Sequence, residues 1–310
     1  MIKLILPLLL LTASFASAAP RPAFNLNSLA LHDLRGLALP AAPAVTIPLR
    51  AEPAPDERYF NAYILKAVDY LRQNYGLQGY DINSILTHDI QYHDQGVIKA
   101  RRAPLTMCVA AVMEVILTAY DIYARETGDY SPYAYLPRRS FEGLAITDLK
   151  GHIWVNHDFK ADGTADALIN FGMGERRLFE DLRPGDFVNI NRTTRTGHAV
   201  VFIGFINKTG KMLAKYDSTV VGFKYFSSQG LREAGKGGFD YRYAVFSKFG
   251  CPEMPYKRDC NVIYSTSQLY LNTGTMLAPA FWTGQLPQAT GEEGETLLNR
   301  SLFNGITTDD

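Results

Sequence analysis

The sequence predicts an α+β domain, and three observations carry that reading. A strongly apolar helix is expected over residues 107–126, short β-branched or aromatic runs follow Pro184-Gly185, and turn residues separate those runs. A buried helix followed along the chain by an antiparallel sheet is an α+β layout. With 310 residues, 47% of them hydrophobic, the chain can bury a sizeable core.

The folded part is expected to begin near Asp56, whose side chain suits a helix N-cap. Phe60, Ile64, Ala67, Val68 and Leu71 follow at helical spacing, and Gly76 ends the run. Residues 80–104 read as irregular and hold His88, Asp89, His93 and Asp94. The main helix is entered through Pro104 and Thr106 and stops near Gly128. It is apolar on nearly all sides as far as Leu117, which predicts a central position. Residues 129–183 show no clear period. Strands are expected at 187–191, 198–206, 211–218, 222–227 and 241–246, with Asn207-Lys208-Thr209-Gly210 as a turn. The domain organisation expected is a folded region over 58–270 and a peripheral tail over 271–310.

Ahead of the domain, residues 1–18 read as a secretory signal: Lys3, an apolar core over 4–11, and the small-x-small triplet Ala16-Ser17-Ala18. Cleavage after Ala18 is preferred, because a cut after Ala19 would leave Pro20 directly beyond the scissile bond. An apolar core of about eight residues falls far short of the ~20 that span a bilayer. The alternative of a membrane anchor is therefore disfavoured. Residues 19–57 are rich in Pro and Ala without a period and read as a linker or arm. The chain is expected in the periplasm or outside the cell, where disulfides persist.

Charge excludes another class. Thirty-one Lys and Arg balance thirty-one Asp and Glu with no long run of one sign, which disfavours a nucleic-acid partner. Three cysteines are too few for a four-thiolate zinc site, and an odd number leaves one thiol over.

Cys108 is expected in the first turn of the main helix. Backbone N–H groups and the helix dipole there favour thiolate over thiol and could stabilise an oxyanion. The competing reading is a small core residue. His198 opens a strand after Gly197, a position from which an imidazole can take the thiol proton and protonate a leaving amine. A histidine satisfied at a strand edge is the alternative. If the 207–210 turn is symmetric, His198 lies opposite Thr219 and Asp217 is a diagonal neighbour on the same face, making Asp217 the first choice to orient the imidazole. A one-residue slip would move it to the other face. Gln229 is the reserve. Cys251 and Cys260 bracket a polar loop and are expected to close it as a disulfide. His88 with His93, and His152 with His157, read as surface histidines in preference to metal ligands.

A Cys at the start of a buried helix, the Pro184-Gly185-Asp186 turn into a strand, and Gly197-His198 opening the next strand resemble the papain-like exported hydrolases of the NlpC and CHAP type, over roughly residues 100–230. The resemblance implies a papain-like fold and cleavage of cell-wall peptide or amide bonds. It makes Cys108 the nucleophile and His198 the base, while the third position matches by location only. Peptidoglycan peptide stems are then the expected partner, with no cofactor or metal. Two other functions remain: a secreted protease or transamidase acting on proteins, and a non-catalytic binding protein with a papain-like shell.

Overall fold

The computed structural model describes residues 57–141, 163–268 and 270–283. The expected signal and most of the arm, Asp56, His152, His157 and the last part of the tail lie outside them.

Helix α1 (Asn61–Tyr75) buries Ile64, Ala67, Val68 and Leu71, the stripe expected from their spacing, and ends at Gly76. A small hairpin, β1 (Ile90–Gln91) with β2 (Val97–Ile98), follows. Helix α2 (Cys108–Thr127) is buried almost continuously from Cys108 to Tyr120. It stops where Gly128 takes a left-handed φ of 73° and returns its N–H to the Ala124 carbonyl, a conformation that favours glycine. Two short helices, α3 (Ser131–Tyr135) and α4 (Thr164–Asn170), lead to the strands.

The strands are β3 (Gly174–Arg176), β4 (Phe187–Asn191), β5 (Gly197–Asn207), β6 (Met212–Leu213), β7 (Val220–Gly230), β8 (Gly237–Phe246), β9 (Asp259–Val262) and β10 (Leu271–Met276). They form one sheet in the order β3-β10-β4-β5-β7-β8-β9, with β6 beside β5. Every pairing is antiparallel except β8 with β9. The α+β class is thus present, with a mostly antiparallel sheet.

The sheet also closes on itself. Beyond β4, Arg192 bridges Val262, the Ile263 N–H meets the Asn191 carbonyl at 2.9 Å, and the Thr193 N–H meets the Asn261 carbonyl at 2.9 Å. Strands β4, β5, β7, β8 and β9 therefore wrap into a small barrel, whose inside must be filled by side chains. Inside lie Val188, Ile190, Val200, Phe202, Phe223, Tyr225 and Phe246, plugged by Phe179 and Leu182. Outside, Phe187, Ala199, Val201, Phe226 and Phe239 pack with α1, α2 and α4 in the larger core.

Two expectations need correcting. The strand expected at 211–218 shrinks to β6, because Asp217 folds the chain locally: its Oδ1 accepts from the Thr219 N–H at 2.7 Å and from the Thr219 hydroxyl at 2.5 Å. The boundary at 270 also fails. Strand β10 lies between β3 and β4 and is buried throughout, so the sheet runs past it. Its polar side chains are spent on neighbours: Asn272 Nδ2 donates to Asp166 at 3.0 Å and the Thr275 hydroxyl to Asn61 Oδ1 at 3.0 Å. Among the described residues, no helix is long and apolar enough to cross a membrane.

Candidate functional site

Cys108 is the first residue of α2, following Met107 in extended conformation, and is fully buried. The chain just before it is anchored to the sheet, since the Ser228 hydroxyl donates to the Thr106 carbonyl at 3.1 Å. Cys108 takes no part in a disulfide. Cys251 and Cys260 do pair, with Cα atoms 5.4 Å apart.

His198 is the second residue of β5 and faces Ile190 of β4 across the ladder. It is 2% exposed. Its Nε2 lies 2.9 Å from the Ser227 hydroxyl, and its ring stands edge-on to Tyr225 at 6.0 Å. Burial holds its pKa well below the usual histidine value, and the Arg192 and Arg242 charges push the same way, while the nearby Gln229 amide works against them. The imidazole is therefore neutral at pH 7, with Nδ1 unpartnered among the described residues.

Strand alternation decides the relation between these two groups. Ile190, Val200 and Phe202, which share His198's parity, point into the barrel, whereas Ala199 and Val201 point outward into the core that holds Cys108. On β7 the same split separates Ser227, the partner of His198, from Ser228, the anchor of Thr106. The expected Cys108–His198 dyad is thus not assembled: thiol and imidazole stand at the same rim of the sheet, on opposite faces of it.

Asp217 must be corrected as well. Strand β7 pairs with β5 from Asn207 opposite Val220 to Val201 opposite Phe226. Asp217 precedes that ladder, at the end remote from His198. Nine residues of strand span about 30 Å. The symmetric-turn assumption failed because residues 214–219 form a loop, and the partner strand starts later. Gln229, the reserve, is the one beside His198: its Oε1 accepts from the Tyr225 hydroxyl at 3.0 Å. It fixes an aromatic neighbour of the imidazole.

Three further polar groups surround His198. Ser227 bonds it, Arg242 donates to the Gln229 carbonyl at 2.9 Å, and Arg192 pairs with Asp259 and donates to the Thr196 hydroxyl at 3.2 Å. The polar triplet Ser227-Ser228-Gln229 at the end of an aromatic run was the available signal.

His88 and His93 are each occupied separately. Glu114, fully buried in α2, accepts from the Thr87 N–H at 2.9 Å and from its hydroxyl, and lies 3.1 Å from His88 Nδ1. Tyr75 stacks on His88 at 4.0 Å. His93 stacks on Tyr130 at 4.3 Å. Among the described residues, no three His, Cys, Asp or Glu side chains gather as a metal site.

What the arrangement offers chemically is a fully buried thiol at a helix start and a separate, neutral, hydrogen-bonded imidazole across the sheet. Compared with known protein families, curated proteins and solved structures, the chain matches none.

Proposed function

We propose that this chain is an exported cysteine hydrolase with a papain-like arrangement, cleaving peptide or amide bonds of peptidoglycan stems through Cys108. One observation carries the reading. The thiol that the disulfide leaves over opens the central helix, at the same rim of the sheet as the start of β5, where His198 is the second residue. In the reaction, Sγ of Cys108 attacks the carbonyl carbon and the C–N bond breaks. The amine leaves with a proton, and water then hydrolyses the thioester. His198 serves as base in this reading only once the first residues of β5 leave the ladder and Ser227 releases the ring, because side-chain rotation alone does not carry a strand residue to the other face.

The test is release of new amines from purified peptidoglycan, with a denatured protein as the competing substrate. Cys108→Ala should abolish release while the fold persists, and His198→Ala should lower it. Activity retained without Cys108 sinks the mechanism, and preference for the denatured protein moves the substrate class to proteins.

A second reading, a non-catalytic binding protein, is favoured by the complete burial of Cys108 and the sheet between it and His198. The rate of iodoacetamide labelling separates the two. A thiolate poised for catalysis reacts much faster than an ordinary thiol at neutral pH, whereas an inert core thiol reacts no faster.

A further inference from the structure

The neutral overall charge hides an uneven distribution. Strands β5 and β8 end, and β7 begins, at one end of their meander, and the connections there carry Lys208, Lys211, Lys215, Lys248, Lys257 and Arg258. These segments are held together. The disulfide loop packs Met254 and Cys260 over Ile206, Val221 and Val245, Tyr256 stacks on Tyr243 at 3.5 Å, and the Tyr256 hydroxyl donates to the Gly210 carbonyl at 2.6 Å. The hairpin tip with Lys208 and Lys211 therefore sits against the loop that carries Lys257 and Arg258.

Elsewhere several exposed cations have carboxylate partners, as in Arg58–Glu175, Lys66–Glu126, Lys99–Asp89 and Arg125–Asp121, although Arg101 and Arg195 have none among the described residues. None of the six at this end forms an ion pair among the described residues. The acids near them are Asp217, which is spent on Thr219, Glu253, and Glu180, which accepts from the Tyr264 hydroxyl and acts on Lys248; Asp259 is taken by Arg192. Two large apolar side chains stand in the open among these cations, Met212 at 41% exposure and Phe249 at 44%. The Lys248 ammonium itself lies over the rings of Phe249 and Tyr264, 3.2 Å from the Tyr264 centroid, so its charge is held by aromatic faces. Unpaired cations interleaved with exposed apolar side chains fit an anionic lipid surface, where headgroup phosphates meet the cations and the apolar groups enter the acyl boundary. A soluble polyanion would use the cations and leave Met212 and Phe249 without a role.

We propose that this end of the molecule docks on an anionic lipid surface, with the exposed Lys208, Lys211, Lys215 and Lys257 on headgroup phosphates and Met212 and Phe249 inserted among the lipids. The experiment is co-sedimentation of the chain, purified after export, with phosphatidylcholine vesicles that contain or lack phosphatidylglycerol. Binding is expected only to the anionic vesicles and should be released by salt. Charge reversal by K208E, K211E, K215E and K257E together should lower partitioning by at least about tenfold. Phe249→Ser should give a smaller loss with the salt dependence kept. Should charge reversal unfold the chain, the corresponding Lys→Gln variant reads the same loss. Equal binding to both vesicle types, undiminished binding of the folded variants, or capture of soluble polyphosphate without vesicle binding each overturns the proposal.

Discussion

The two ends of the β5–β7–β8 meander are built from the same strands and treat charge in opposite ways. At the start of β5 the polar groups are buried and bonded: His198 to Ser227, Arg192 to Asp259 and Thr196, and Arg242 to the carbonyls of Gln229 and Gly238. At the finish of β5, Lys208, Lys211, Lys215 and Lys257 are exposed and form no ion pair among the described residues. The difference follows from what covers each end. Residues 192–196 and β9 close the barrel over the first, whereas the hairpin tip and disulfide loop leave their lysines outside. Burial forces partners on polar groups, and exposure releases lysines from that requirement.

The largest effect is expected at Arg192. It is 4% exposed and holds Asp259, so Arg192→Ala should destabilise the fold by about 3–5 kcal/mol in chemical denaturation. A loss under ~1 kcal/mol, the value of a surface ion pair, would mean that this end is wetter than its burial implies.

Next in size is the disulfide. Cys251 and Cys260 are nine residues apart, and replacing both with Ser should cost about 2–3 kcal/mol. Because Met254 and Cys260 cover Val221 and Val245, proteolysis of the variant should begin in this loop.

The buried end should also respond to pH, through His198. The folded pKa is depressed, so the unfolded chain binds the proton more readily. This contribution is complete above about pH 6.5 and is lost as the pH falls from there toward the folded value. Between pH 6.5 and 5, stability should decline by up to ~1.4 kcal/mol per pH unit from this group. His198→Gln should flatten the slope in that window, and an unchanged slope assigns it elsewhere. The smallest effect belongs to the other end, where charge reversal at Lys208, Lys211, Lys215 and Lys257 should shift stability by less than about 0.5 kcal/mol.

Helices α1 and α2 were legible because their cues are local: the stripe from Ile64 to Leu71, and Gly76 and Gly128 as stops. Strands β4 and β5 were legible from their β-branched and aromatic residues. The face of His198 was not. Strand β5 is apolar on both sides, with Val200 and Phe202 inside the barrel and Ala199 and Val201 against α2, so no alternation marks which side meets the helix. That choice is made by closure between Arg192 and Val262, seventy residues apart along the chain. Strand β10 was hidden for a different reason. Leu271-Asn272-Thr273-Gly274-Thr275-Met276 reads as polar because its buried hydroxyls and amide find partners that only the fold supplies. The pairing of Cys251 with Cys260, by contrast, needed only their proximity and the third cysteine's position at a helix start.

Barrel closure has a further consequence for behaviour at high concentration. An open sheet edge is a template onto which another chain can add a strand. Here the outer side of β8 is shared between β9 and the Leu77–Gly79 turn, whose amides bond to the Phe239 and Gly237 carbonyls, and β9 is itself capped by the end of β4. The opposite margin is β3, three residues long. So short a margin gives a neighbouring molecule little backbone to continue, and the barrel should stay free of strand-to-strand aggregation while it remains folded.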